Sequence, residues 1–455
     1  MQVGHNECFD RYGYMITRFA PSPTGYMHIG NARTALVCWL YARKSSGKFL
    51  LRIDDTDFER SEERYVEEIK NDLKWLAMDW DLCFNQSSRI KRYDEVFNSL
   101  MGKGVVYPCY ETQEELELKR KMMLKMGLPP IYDRSALNMT EQDRKAHSYK
   151  RPYFRLKMDR DQEISWNDEI RGRVVLQAKN ISDPILRRTN GSYTYMLPST
   201  VDDVDFEVTH VIRGEDHISN TAVQVHIMDV LGVRPPSFVH LPLLRMGESK
   251  MSKRVGGTEI CKMREMGLEP MAINSYVARM GTSLPVEPHT DMQSLVDSFD
   301  ITSFNQAPIK FVLEDISKLN VRLLQRLPFE KARDRLAACG IECSESFWYA
   351  VRDNIDVISD VREWADVCGS GVTPVVDDLN RQLLQLASDL LPEGEPHGGT
   401  WKTWLQKIKE RTSCGTRDIL LPLRLALTGV PKGPEFAKLL PLIGRAEILR
   451  RLRGA

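Results

Sequence analysis

The sequence predicts an α/β protein: a doubly wound, parallel sheet of Rossmann type, interrupted by an inserted α/β subdomain and followed by an all-helical region. Three observations carry that reading. Strand-like and helix-like runs alternate through the first hundred residues. The rhythm breaks between about Cys109 and Asn190 and resumes at Val208. Beyond Gly257 the apolar spacing is helical throughout. At 455 residues, 42% of them apolar and 28% charged, the chain is long enough for several domains with sizeable cores.

The elements follow in order. Met15–Ala20 and Lys48–Asp54 are strand candidates. Asn31–Lys44 is a helix stopped by Gly47, and Ser61–Met78 is a second helix in which Val66, Ile69, Leu73 and Leu76 recur at helical spacing. The stretch from Cys109 to Asn190 holds a charged helical run, Glu111–Met126, a Pro129-Pro130 stop, and strand-like pieces at Tyr153–Met158 and Arg173–Gln177. Alternation returns with Val208–Ile212, a helix over Asn220–Leu231, and strand-like Phe238–Leu244. Helices are then expected at Pro270–Met280, Met292–Phe299, Ile316–Leu327, Glu330–Cys339, Phe347–Ile355, Asn380–Leu391, Trp401–Arg411, Pro434–Leu440 and Ala446–Leu452. Pro/Gly-rich segments at Gly281–Pro288 and Pro392–Gly399 punctuate this region, and the second is read as dividing it into two lobes.

Composition narrows the class. No apolar run approaches a membrane span, and Met1 to Arg11 shows no signal-peptide pattern. Nine cysteines are scattered without a Cys-x-x-Cys pair, which favours a reduced, cytoplasmic protein over a secreted disulfide scaffold. The net charge is zero, yet the distribution is uneven. Residues 341–400 hold three Arg and twelve acids, whereas 401–455 hold twelve Lys and Arg against four acids. A basic lobe beside an acidic one can present a directional face to nucleic acid; ordinary solvated helix faces would give the same counts.

Two short segments carry the chemistry. Pro21-Ser22-Pro23-Thr24-Gly25-Tyr26-Met27-His28-Ile29-Gly30 reads as a Pro/Gly loop leading from a strand into a helix N-terminus, with His28 at its start. Free backbone N–H groups and the positive end of the helix dipole suit a nucleotide phosphate there. Lys250-Met251-Ser252-Lys253-Arg254 sets three cations in a turn ending at Gly256-Gly257, able to clamp a triphosphate and close over it. Alone, each is an ordinary loop. In this order and context, both after strand candidates, they point to nucleotide chemistry at the carboxyl ends of the strands.

Together these segments resemble the two nucleotide-binding motifs of class I aminoacyl-tRNA synthetases. Arg18-Phe-Ala-Pro-Ser-Pro-Thr-Gly, Leu51-Arg52-Ile53-Asp54-Asp55-Thr56-Asp57, Val201-Asp202-Asp203, Val211-Ile212-Arg213-Gly214-Glu215-Asp216-His217 and Leu421 to Gly429 are similar to blocks of the glutamyl-tRNA synthetase family, over nearly the whole chain. The resemblance implies a reaction. Glutamate's carboxylate attacks the α-phosphate of ATP, pyrophosphate leaves, and the glutamyl-adenylate passes its acyl group to the 3′ end of tRNA(Glu), with tRNA(Gln) an open second acceptor. His28 and Lys253 would be the catalytic residues. His28, Gly30, Arg60, Leu243, Leu244, Lys250 and Lys253 would bind ATP, which comes with Mg2+. Arg18, Ala20, Ser22, Asp54, Tyr195 and Arg213 would form the glutamate pocket. Within it, Arg18 and Arg213 would clamp the side-chain carboxylate and Asp54 would receive the α-ammonium group.

The implied organisation has five parts. Residues 1–108 and 191–257 are the two halves of the catalytic domain, 109–190 the inserted acceptor-stem subdomain, 258–327 a helical stem-contact domain and 328–455 an anticodon-binding domain. A monomer is expected. Two departures stand out. Asp54 replaces the family's usual glutamate. Where many bacterial members carry a zinc knuckle, this chain has Cys109-Tyr110-Glu111 with Tyr132 and Ser135 downstream, and one thiolate cannot build a structural zinc site, so none is expected. Glutaminyl-tRNA synthetase is the alternative within the class; the proline-rich block before His28 and the helical tail speak against it. A silent tRNA-binding paralogue is the alternative outside it. Without their motif, Arg18 or Arg213 would read as strand-end ion pairs, Tyr195 as core, and Leu243 and Leu244 as core in any reading.

Overall fold

The computed structural model describes residues 13–147, 149–246, 258–369, 372, 375, 380–412 and 414–454. They form two compact units. The first runs to Glu265 and takes in Ile273–Leu313; the second comprises Met266–Ala272 and the chain from Glu314 onward.

In the first unit, β1 (Ile16–Phe19) leads into α1 (Ile29–Lys44), then β2 (Lys48–Ile53), α2 (Glu63–Trp75), β3 (Leu82–Asn85) and α3 (Ile90–Gly102). Helix α1 is apolar nearly all round, because it lies between the sheet and further chain: Ile29, Ala32, Leu36, Val37, Cys38 and Leu40 are buried. It ends at Lys44. Gly47 follows where the chain turns back, and a side chain there would meet the Met15 carbonyl at 2.3 Å.

The insertion supplies β4 (Val106–Cys109), α4 (Gln113–Lys125), α5 (Glu141–Ala146), β5 (Tyr153–Leu156), β6 (Glu163–Asp168), β7 (Gly172–Gln177) and β8 (Ile185–Arg187). The catalytic half resumes with α6 (Met196–Asp205), β9 (His210–Gly214), α7 (Ile218–Leu231), β10 (Ser237–Leu241), β11 (Leu244–Met246), α8 (Ile260–Glu265) and β12 (Ile309–Phe311).

The main sheet has the order β3-β2-β1-β9-β10-β6-β7. From β3 to β6 neighbours are parallel; β7 closes the edge antiparallel to β6. The parallel core is the expected one. The edge is not, because β6 and β7 belong to the insertion yet extend the catalytic sheet. Strand β6 is not among the expected strands, although its alternation is plain: Ile164, Trp166 and Asp168 are buried and their neighbours exposed. Ile164 and Trp166 share a core with Phe238, Val211, Leu197 and Tyr93. Three further strands of the insertion form a separate antiparallel sheet, β4-β5-β8. The expected strand Phe238–Leu244 is two, β10 and β11, since Pro242 has no N–H to continue the ladder. Strand β12, in a stretch expected to be helical, pairs with β11.

The chain departs from β1 in one direction to β2 and β3, and β9 and β10 fill the other side. The β1/β9 boundary is therefore the topological switch point, where open α/β sheets hold their ligands.

The second unit is helical with two apolar cores. One gathers Leu324, Leu336, Trp348, Val351, Ile358 and Val361. The other gathers Leu384, Ala387, Trp404, Ile408, Leu423, Leu439 and Ile448. The segment 392–399 does not separate lobes. Helix Arg381–Leu390 lies before it and shares the later core, with the Trp404 indole N–H donating to the Ala387 carbonyl at 2.9 Å. Helices Val361–Cys368 and Thr416–Thr428 are likewise not among the expected ones. The latter contains Pro422, and Ile419, Leu423, Ala426 and Leu427 make one buried stripe along it.

Candidate active site

The Pro/Gly loop after β1 delivers His28 to the N-cap of α1. Its Nδ1 accepts from the backbone N–H of Gly30 at 3.0 Å and of Asn31 at 3.3 Å, while Asn31 Oδ1 accepts from His28 N. A ring nitrogen that accepts carries no proton, so the neutral ring presents Nε2–H. Burial also pushes its pKa below the usual histidine value. The spacing His-x-Gly now has a cause: a Cβ on Gly30 would stand 2.9 Å from His28 Cε1.

One sequence expectation is corrected here. The first-turn amides are not free for phosphate, because Ile29 N donates to Thr258 O at 2.9 Å and His28 itself takes those of Gly30 and Asn31. Helix-dipole potential and the Nε2–H remain for a ligand. Thr258 and Glu259 also anchor the chain beyond the 247–257 stretch to this motif, with Ile260 N donating to Met27 O at 2.8 Å. Lys250 and Lys253 lie outside the described residues.

At the switch point three buried arginines converge. Arg18, near the end of β1, donates from Nε to Asp203 at 3.1 Å. Arg52, on β2, donates to the same Asp203 oxygen at 2.8 Å and grips both oxygens of Asp54 at 2.7 and 3.2 Å. Asp202, 3.9 Å from Arg52, is taken up by Arg89, Gln86 and Tyr93. Arg213, on β9, has no such partner among the described residues. Its Nη2 donates to Thr221 at 2.6 Å and Gln224 at 2.7 Å, and its buried Nε meets no acceptor among them. Burial, then the like charge of Arg18, pushes Arg213 down to about 10. Tyr195, at the start of α6, feels both Arg213 and Asp54; its buried hydroxyl also lacks a partner among the described residues, and burial pushes it up to about 12. Burial likewise raises Asp54 to about 6, against the pull of Arg52 and Arg18.

The structure thus brings together Arg18, Asp54, Tyr195 and Arg213. Ala20, half-buried, and Ser22, exposed, lie just beyond β1 in the loop whose Pro21 carbonyl accepts from Asp54 N at 2.9 Å. Arg60 sits on an exposed turn paired with Asp57 at 2.7 Å. Leu243 is not a core side chain but 43% exposed, and Leu244 is half-buried. Leu243 N donates to Glu215 at 3.0 Å and its carbonyl accepts from Ile309 N at 2.9 Å, so both of its backbone groups are engaged. Arg52, Asp203, Thr221 and Gln224 carry no role in the sequence reading. For Arg52 a signal exists, a charge inside the otherwise apolar run Phe49–Ile53.

Where a metal knuckle would lie, Glu111 is a hydrogen-bond hub. Its carboxylate accepts from Tyr132 at 2.6 Å, Ser135 at 2.8 Å and Tyr153 at 3.1 Å. Burial would raise its pKa, but these hydroxyls hold it at about 2. Cys109 is buried with its thiol pushed up to about 11, a poor thiolate donor. These residues do not fit zinc, and among the described residues no cluster of His, Cys, Asp and Glu suits a metal ion. Nor is any described helix long and apolar enough to cross a membrane.

The family described as "tRNA synthetases class I (E and Q), catalytic domain" matches residues 14–318, and "Anticodon binding domain" matches 344–455. Glutamate--tRNA ligase 1 of Anaplasma marginale is 83% identical over 441 residues, covering 97% of this chain and 100% of that protein. Glutamate--tRNA ligase 1 of Anaplasma phagocytophilum is 63% identical, covering 97% and 98%. Among solved structures, a glutamate tRNA ligase from Elizabethkingia meningosepticum in complex with its amino acid superposes with a TM-score of 0.82 at 26% identity, over 96% of this chain and 98% of that one. A Rossmann-type sheet switch point, a histidine N-cap and a helical anticodon-binding region therefore stand in one chain, which belongs to the class I tRNA synthetases of the glutamate and glutamine family.

Proposed function

We propose that this enzyme is a glutamate–tRNA ligase that forms glutamyl-adenylate from ATP and L-glutamate and transfers the glutamyl group to tRNA(Glu). The observation that carries the choice of amino acid is the charge at the switch point. Three arginines, Arg18, Arg52 and Arg213, stand against two carboxylates, Asp54 and Asp203, which pair with Arg18 and Arg52, while Asp202 is matched by Arg89. One positive charge is left over. Glutamate brings two carboxylates and one ammonium, hence a net −1; glutamine brings none.

In this reading Arg18 and Arg213 clamp the side-chain carboxylate, whose oxygens also satisfy Arg213 Nε and the Tyr195 hydroxyl. Asp54 takes the ammonium group. The α-carboxylate oxygen then bonds to the α-phosphorus and the bond to pyrophosphate breaks. His28 Nε2–H donates toward the α-phosphate, and Lys253 follows the charge leaving with pyrophosphate, which binds the transition state better than ATP. Magnesium accompanies ATP and neutralises phosphate charge. The basic stretch 401–455 meets phosphates of the anticodon arm, so tRNA binding weakens as salt rises.

The test is pyrophosphate exchange by the full chain with glutamate, ATP and tRNA. Exchange dependent on glutamate and not glutamine is expected, and Lys253→Ala should slow it about a hundredfold or more. Equal exchange with glutamine, or none with either, would overturn the reading. Charging assays with tRNA(Glu) and tRNA(Gln) decide whether the second is also a substrate.

A further inference from the structure

Among the described residues Arg213 is held without a carboxylate, and the chain of groups behind it is ordered. Its Nη2 donates to Thr221 Oγ1 at 2.6 Å. Thr221 Oγ1 lies 2.8 Å from His240 Nε2, and His240 Nδ1 lies 2.6 Å from Asp168 Oδ2. The Asp168 oxygens also receive the backbone N–H groups of Ile170 at 3.0 Å, Arg171 at 2.9 Å and His240 at 3.1 Å. Thr221, His240 and Asp168 are all buried.

The proton positions follow from donor and acceptor counting. Backbone N–H groups only donate, so both Asp168 oxygens are acceptors and His240 Nδ1 carries the proton between them. Burial, together with the charges of Arg213 and Arg171, lowers the His240 pKa despite Asp168, so the ring is neutral and Nε2 is a bare acceptor. The Thr221 hydroxyl turns its proton to that nitrogen, in preference to the His217 carbonyl at 3.2 Å, and offers its lone pairs to Arg213. Every bond in the line points from Arg213 toward Asp168.

We propose that Asp168, His240 and Thr221 are positioning residues, a relay that fixes Arg213 through a polarised neutral oxygen and so keeps its charge uncancelled for the substrate's side-chain carboxylate. A carboxylate set directly on Arg213 would form a closed ion pair and erase the surplus charge that separates glutamate from glutamine. Two hydrogen-bonded groups away, Asp168 orients the guanidinium without neutralising it. The Gln224 amide, braced by Ser199 at 2.6 Å, supplies the second neutral support. This inference rests on the reading of Arg213 as the glutamate clamp.

The test compares Thr221→Val, Thr221→Ser and Arg213→Lys in glutamate- and tRNA-dependent pyrophosphate exchange, with thermal melting of each. Thr221→Val should raise the KM for glutamate about tenfold and narrow the preference over glutamine, with kcat and the KM for ATP within about threefold. Thr221→Ser, which keeps the hydroxyl, should stay within about threefold of the parent. A glutamate KM unchanged in Thr221→Val, or a serine variant that melts normally without rescue, overturns the relay. If the valine variant does not fold, Thr221→Ala is judged by the same glutamate KM. An inert Arg213→Lys would instead sink the clamp itself, whereas a damaged Arg213→Lys beside an inert Thr221→Val sinks only the relay.

Discussion

Two of the polar clusters inside the first unit, one around Glu111 and one around Arg213, are finished in opposite ways. Around Glu111, three hydroxyls close on one carboxylate, with Lys119 at 3.6 Å, and every strong acceptor is used. Around Arg213, among the described residues, a guanidinium nitrogen and the Tyr195 hydroxyl are left buried without partners, and positive charge exceeds negative. A cluster that completes its own hydrogen bonds is a clasp. One that leaves them open stores a desolvation penalty that a ligand relieves, which is how a site selects by charge.

The contrast is broken most strongly at Asp203, the one carboxylate shared by Arg18 and Arg52. Asp203→Asn leaves both guanidiniums leaning on Asp54 and should lower unfolding stability by about 3–5 kcal/mol. Urea denaturation reads this directly; a loss below about 1 kcal/mol would show that water already compensates these charges.

Asp54 sharpens the contrast, since both its oxygens face Arg52. If it also receives the substrate ammonium, Asp54→Asn should lower kcat/KM for glutamate at least tenfold, about 1.5–3 kcal/mol, and leave the KM for ATP nearly unchanged. If it serves only Arg52, denaturation will show the whole effect and the glutamate kinetics of the folded fraction will match the parent.

The smallest effect is expected at the closed cluster. Glu111→Gln should cost about 1–2 kcal/mol at neutral pH with no change in glutamate or ATP kinetics. The hydroxyls hold Glu111 at about 2, below the 4.5 of a free glutamate. The parent's advantage is therefore complete above about pH 4.5 and lost as pH falls toward 2. Melting curves of parent and variant should converge on acidification; a difference that persists at pH 2 would place the effect in packing rather than charge.

The sequence by itself determined the parallel core of the sheet, the helical tail and the motifs that carry His28, Arg18 and Arg213. Periodicity is local, and Pro-x-Pro-x-Gly before His28 or Arg213 at a strand end is written in consecutive positions. Tertiary structure decided the rest, because it depends on residues far apart in the chain meeting. Only folding shows that the insertion lends β6 and β7 to the catalytic sheet. Only there do residues 168, 213, 221 and 240 become one line of hydrogen bonds. Likewise, the first-turn amides of α1 looked free until His28 and Thr258 were found bonded to them. Hydrogen bonds and ion pairs are specified by three-dimensional neighbours, while helix and strand periods are specified by the chain's own repeat, and that is where sequence reading stops.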